Sequence, residues 1–362
     1  MDETRSTGRS DGTFAHRGAR RLWRRRFALP LAVLAAAALA VAGCSSSSSS
    51  TSSTSSSRTT SANGSLGTFY FISHGCPTDP FWPPVWNGAA DAGKQLGIKV
   101  DILHITSSEC GSTSAEVSLL DTAIAAHPAG IATTVTDATS FSSALQTAAK
   151  DNIPVVVLNS APTASGAPSA ANPYLAYLGQ QNYSAGQGLA TEAASEFSLS
   201  KGASVVVIDH EPTNISLTQR LQGVKAAFAP MGITPTVVNT SDDISQGASI
   251  VSSYLATHKS LSAILTLGTT GTDEVAEAQS SAGTHFKIGA MDLDTTTLSY
   301  IENGTVTFTV DQQPYLQGYL SIVELFLDAT EGASPVSIST GPVFLTSSNV
   351  KALAKYVSHT GY

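Results

Sequence analysis

The chain is short of positive charge and of sulfur. Its 362 residues carry 19 Lys and Arg against 27 Asp and Glu, with only three Cys, three Met and three Trp. Eight Arg fall within residues 1–43 and give that segment a net charge of +5. From residue 44 onward the net charge is −13. A polyanion needs clustered Lys and Arg, so nucleic acid is excluded as a partner. No Cys or His spacing matches a metal site, and no metal or cofactor is expected. Two enzyme signatures are also missing, the GxSxG nucleophile elbow and the HExxH helix. The stretch "GAADAGKQ" (Gly88–Gln95) nearly spells a phosphate loop, but Gln95 stands where Ser or Thr is required, and the segment reads as helix interior.

What is present begins with a processing signal. "RRLWRRRF" (Arg20–Phe27) precedes "ALPLAVLAAAALAVAGC", an apolar run that ends in small residues at Cys44. A basic start, a short apolar stretch and a small-residue exit describe a secretory signal over residues 1–43. The apolar run falls below the roughly 20 residues of a membrane span. Its ending "VAGC" resembles a bacterial lipobox, which implies a lipid on Cys44 and an extracytoplasmic chain anchored to the cell membrane. Residues 44–66 are rich in Ser and Thr and poor in apolar side chains, so they read as a tether. Residues 67–362 are enough for two lobes. Cys76 and Cys110 both follow predicted strands, and compartment and parity favour a disulfide over two free thiols.

From Gly67 onward short β-branched runs alternate with helical spacing. The runs are "TFYFIS", "IKVDILHI", "GIATTV" and "IPVVVLN", then "ASVVVID", "TPTVVN", "SAILTLG", "FKIGAMD" and "TVTFTVD". Helical spacing separates them, as in Val85, Ala89, Ala92 and Leu96, or Leu217, Leu221, Val224 and Phe228. Such a pattern predicts an α/β chain with parallel sheets covered on both faces. The series occurs twice, and "YLAYLG" connects the halves. Ligands of such sheets lie beyond the carboxyl ends of the strands, so two facing lobes share one cleft.

The residues just past those strand ends form a consistent set. The loop "CPTDPFWPPVW" (Cys76–Trp86) crowds three large rings and four prolines after the first strand. Asp79, Phe81 and Trp82 fall there, and Asn159 follows the fourth strand. Arg220, Thr269, Asp292 and Gln312 occupy the matching places in the second half. A sugar shows an apolar C–H face that an aromatic ring covers and a rim of hydroxyls that carboxylates, amides and a guanidinium bind. Phe81 and Trp82 are therefore read as stacking surfaces, the alternative being a hydrophobic plug under the loop. Trp86, one turn into the helix, reads as core. "DHE" (Asp209–Glu211) suggests a metal or acid–base site, but adjacent side chains at a strand end point to opposite faces and do not converge easily, so it reads rather as a polar cleft rim. His74, in a strand-end loop, reads as solvated or as a further ligand contact.

With these residues the chain resembles the ribose-binding, type I periplasmic binding proteins, the sugar-binding lipoproteins of bacterial ABC importers. The motifs are "DPFWPPVWNGAADAGKQLGIKV", "LGQQNYSAGQGLA", "SLTQRLQGVKAA", "IGAMDLD" and "VDQQPYLQGYL". The resemblance implies two Rossmann-like lobes joined by a three-crossing hinge, residues 67–177 plus 313–339 and residues 178–312 plus 340–362. It also implies a monomer that closes on a monosaccharide or polyol without altering it and docks on a permease. Asp79, Phe81, Trp82, Arg220, Asp292 and Gln312 match the family's sugar-holding positions. Asn159 followed by Ser160, and Thr269 in "LGTTGT", depart from the ribose-type pattern. On that reading Trp82→Ala and Asp292→Ala weaken sugar binding and leave the empty protein's stability unchanged. Two alternatives remain, a sugar-sensing receptor domain for a membrane kinase and a secreted glycoside-acting enzyme using Asp79 and Asp292.

Overall fold

The computed structural model describes residues 66–361. The secretory signal, Cys44 and all but the last residue of the tether lie outside the described residues. The first sheet holds β1 (Thr68–Ser73), β2 (Lys99–His104), β3 (Gly130–Thr133), β4 (Val155–Leu158) and β5 (Ala176–Leu178). Its order is β2-β1-β3-β4-β5, all parallel. Helices α1 (Trp82–Leu96), α2 (Thr113–Ala125) and α3 (Ser142–Lys150) connect these strands. The second sheet holds β6 (Val205–Asp209), β7 (Thr236–Asn239), β8 (Ala263–Thr266), β9 (Ile288–Met291), β10 (Phe308–Asp311) and β11 (Val343–Thr346), in the order β11-β10-β9-β8-β6-β7. It carries α4 (Asn182–Glu196), α5 (Ile215–Phe228), α6 (Ile244–Thr257), α7 (Thr269–Ala282) and α8 (Thr295–Asn303). After them come α9 (Pro314–Glu331) and α10 (Ala354–Thr360).

Burial follows strand position. The inner strands β4 ("VVVL") and β6 ("VVVID") are buried at every residue, because helices cover both faces. The edge strands β2 and β7 are exposed at both ends. β11 is a further edge strand, antiparallel to β10. Its run "VFLT" is too short and too half-buried to stand out in the sequence. The segment expected to connect the halves forms β5 and completes the first sheet. The chain then passes between the sheets three times: from β5 to α4, from β10 to α9, and from Ile338, bridged to Leu178, to β11.

One device locks each lobe at its first helix. In the first lobe α1 packs on α9, where a Cβ on Gly88 would lie 2.1 Å from the Tyr315 carbonyl oxygen, and one on Gly318 1.9 Å from that of Val85. In the second, α4 packs on α5, where a Cβ on Gly186 would lie 2.0 Å from the Arg220 carbonyl, and one on Gly223 2.0 Å from that of Tyr183. Only glycine allows backbones to approach this closely. Both contacts set the helix starts that face the cleft.

Candidate functional site

All eight residues singled out from the sequence line one narrow cavity between the lobes, with a volume of about 30 Å³. They reach it from different elements. Asp79, Phe81 and Trp82 lie between β1 and the first turn of α1, and Asn159 follows β4. Arg220 sits in the second turn of α5, Thr269 opens α7, and Asp292 and Gln312 follow β9 and β10. Asn159 (φ 57°) and Asp292 (φ 73°) both adopt the left-handed conformation, which Asn and Asp tolerate better than most residues and which turns the chain sharply at a strand end.

On the first-lobe side the rings are fixed by packing. Trp82 is 1% exposed and Phe81 5%, and both join the cluster around Phe71, Val85 and Leu158 while presenting atoms to the cavity. The two rings meet edge to face, with centroids 5.2 Å apart. A Cβ on Gly75 would lie 2.1 Å from the Trp82 indole, so that glycine makes room for the ring. Trp86 packs against the same cluster, donates from Nε1 to Ser73 Oγ at 2.9 Å and stacks on His104. Asp79 Oδ1 accepts from the Phe81 amide at 3.0 Å and, across the cleft, from Thr269 Oγ1 at 3.4 Å. Burial pushes the Asp79 carboxyl up to about 7.

On the second-lobe side the polar groups are fixed by pairing. Arg220 donates from Nη1 to Asp292 Oδ2 at 2.9 Å and to the Leu267 carbonyl at 2.6 Å, and from Nε to Asn182 Oδ1 at 3.0 Å. Gln312 Nε2 donates to Asp292 Oδ1 at 2.7 Å. Asn159 Nδ2 reaches Gln312 Oε1 at 3.2 Å, and Gln317 Nε2 reaches the same oxygen at 2.9 Å. The network is thus continuous from Arg220 to Asn159. Burial raises the Asp292 carboxyl, and the Arg220 charge pulls it back down.

Further residues that line the cavity include His74, His210, Glu211, Asn214 and Ser216. Asn214 joins the lobes. Its Oδ1 caps α5 through the Ser216 amide at 2.9 Å, while its Nδ2 contacts His74 Nε2 at 3.2 Å and donates to Glu211 Oε2 at 2.8 Å. His74 Nδ1 lies 3.0 Å from Thr134 Oγ1, which in turn donates to the buried Glu116. Burial, then the Arg220 charge, holds His74 down at about 3, so its neutral Nε2 can accept from Asn214. The cap pattern in "TNIS" was readable, but its reach across the cleft was not. Ser216 Oγ also donates to Ser160 Oγ at 2.9 Å, and the Ile215 amide to the Thr136 carbonyl at 3.2 Å. The Cys76 and Cys110 sulfurs lie 2.12 Å apart, with Cα atoms 5.5 Å apart.

His210 and Glu211 line the cleft as a polar rim, as expected, but the expected divergence of their side chains is corrected. His210 and Glu211 do converge, each offering a ligand atom within 4.8 Å of the other and of one from Asp242. Strand β6 ends at Asp209, so the alternation of faces no longer governs the two residues that follow.

The family model described as periplasmic binding protein domain matches residues 69–332. A curated relative, the xylose/arabinose-binding protein XylF of Sulfolobus acidocaldarius, is 30% identical over 294 residues, covering 78% of this chain and 71% of its own. Solved structures are similar as well, two of them sharing more than a quarter of their residues with this chain. A periplasmic sugar-binding protein of an ABC sugar transporter from Legionella pneumophila shares 30% identity with a TM-score of 0.71, covering 76% of this chain and 99% of that one. A carbohydrate transporter protein from Acidothermus cellulolyticus 11B, in complex with myo-inositol, shares 27% identity with a TM-score of 0.73, covering 82% and 99%.

Proposed function

The chain belongs to the periplasmic binding protein domain family, and from that membership we propose that it is an extracytoplasmic lipoprotein that captures a sugar or polyol and delivers it to an ABC importer. The observation that carries this reading is the division of labour around one cavity. Two rings line one side, and an unbroken hydrogen-bonded network from Arg220 to Asn159 lines the other. A flat C–H face and a ring of hydroxyls match that pair of walls. The names of the relatives, which bind xylose, arabinose and myo-inositol, support a pentose or a polyol.

Ligand binding shifts the lobes toward the closed arrangement, because groups from both lobes gain contacts only there. Residues 67–177 with 313–339 act as one lobe, and residues 178–312 with 340–362 as the other. No chemistry is done on the ligand. Asp292 engages both carboxylate oxygens with Arg220 and Gln312, which ties it against shuttling a proton. The mature protein is a monomer, oxidised at Cys76–Cys110 and anchored through a lipid on Cys44. Thermal-shift screening against pentoses, hexoses, polyols and amino acids tests the proposal. A rise in unfolding midpoint with a polyhydroxy compound, recovered unchanged afterwards, is expected. A library in which none raises it, or in which the compound is cleaved, overturns the reading.

A further inference from the structure

The mouth of the cleft holds a second constellation, at the outer edge of the sugar cavity and partly shared with it. An outer cavity of about 740 Å³ opens where Cys110 and Gly111 of the first lobe face residues 210–213 and 241–246 of the second. His210 and Glu211 line both cavities, whereas Asp242 lines only the outer one. One ring nitrogen of His210 and one carboxylate oxygen from each of Glu211 and Asp242 all lie within 4.8 Å of one another. His210 is 7% exposed, yet its Nδ1 has no hydrogen-bond partner among the described residues. A buried ring nitrogen without a partner is rare and points to a group that would satisfy it.

We propose that His210, Glu211 and Asp242 form a binding site for a divalent transition-metal cation of the Zn²⁺ class. An imidazole nitrogen with two carboxylates is a common ligand set for such ions, and a donor set with nitrogen disfavours Ca²⁺ and Mg²⁺. The two acids otherwise oppose each other. A dication compensates both charges at once. Tetrahedral bonds of about 2.1 Å place ligand atoms about 3.4 Å apart, so the three side chains must draw in from the separations of up to 4.8 Å seen without an ion. The site lies at the seam of the lobes. A Cβ on Gly111, beside the disulfide, would lie 3.0 Å from Asp242 Oδ2. An ion held there would rigidify the second-lobe rim where the first lobe closes on it. The site stands on these three residues alone and does not depend on the sugar reading.

The test is calorimetric titration of the chelator-stripped protein with ZnCl₂ alone, without sugar, at neutral pH. One Zn²⁺ per chain is expected, with Asp242→Asn and His210→Gln each weakening it at least tenfold. Asp243→Asn is the control. Asp243 Oδ1 caps α6 through the Gln246 amide at 2.9 Å, and Asn caps equally well, so Zn²⁺ affinity should not change. Melting curves of each variant confirm that it is folded. Three results overturn the proposal: no Zn²⁺ uptake, equal affinity in Asp242→Asn and the parent chain, or Ca²⁺ or Mg²⁺ bound as tightly as Zn²⁺.

Discussion

The two lobes share a sheet plan and a glycine-locked helix pair, yet they hold their cleft-facing groups in place by different means. In the first lobe Phe81 and Trp82 are wedged into the hydrophobic cluster, and only part of each ring looks into the cavity. In the second, Arg220 and Asp292 are held by charge and hydrogen bonds, with little packing that the ligand would share. A stacking surface works when it is rigid, and packing behind the ring makes it so. A polar contact works when its direction is fixed, and a paired, desolvated partner fixes it. The lobes thus divide shape from direction.

That contrast can be broken at either end. The largest effect is expected from Asp292→Ala, which leaves the Arg220 charge buried and unpaired; such losses cost about 3–5 kcal/mol. Chemical denaturation should show it in the empty protein, with sugar affinity lost as well. Trp82→Ala removes a ring that is 1% exposed, and large-to-small core changes of this kind cost about 3–5 kcal/mol. Trp82→Phe should recover much of that stability while sugar affinity stays at least several-fold down, which calorimetry separates. Gly75→Ala tests the same ring indirectly, since its methyl would overlap the buried indole and force it to move; weakened sugar binding with a lowered melting temperature is expected. Asn214→Ala is smaller. Losing the α5 cap costs about 1 kcal/mol, and losing the contact to His74 should lower sugar affinity a few-fold by disfavouring closure.

The smallest expected effect is a pH slope. Burial raises Asp79 and Asp273 to about 7, and Glu116 and Glu274 to about 8. A raised carboxyl stabilises the fold below its unfolded value, and that contribution is lost as pH rises through the folded value. His74 and His210 are held near 3 by burial, so they contribute stability that is fully present above their unfolded value of about 6.5 and oppose the acids only below it. The unfolding midpoint should therefore fall as pH rises from about 5 to about 8, most steeply above about 6.5, where the histidines no longer oppose it. Glu116→Gln should flatten that fall, as thermal melts across the range would show.

These expectations differ from those of the sequence taken alone, on which Trp82 and Asp292 were ligand contacts whose loss would spare the empty protein. Each is also a structural member, one of a core and one of a buried ion pair. Strand runs such as "VVVL" and "VVVID" were legible because inner parallel strands are apolar on both faces, and that periodicity is local. The place of Asp79, Asn159, Asp292 and Gln312 past strand ends was legible for the same reason. β11 was not, because a half-buried edge strand carries little signal in four residues. Nor was the convergence of His210 and Glu211 with Asp242, which lie in different loops and meet only when β6 and β7 pair.

The amino-acid order by itself determined which segments become strands and helices, and which residues stand at the carboxyl ends of those strands. Tertiary structure alone decided which of those residues face a common cavity, which become buried partners, and where the second lobe meets the first. The reason is range: hydrophobic periodicity acts between neighbours along the chain, whereas burial, charge pairing and contact across a cleft arise only between groups that folding brings together.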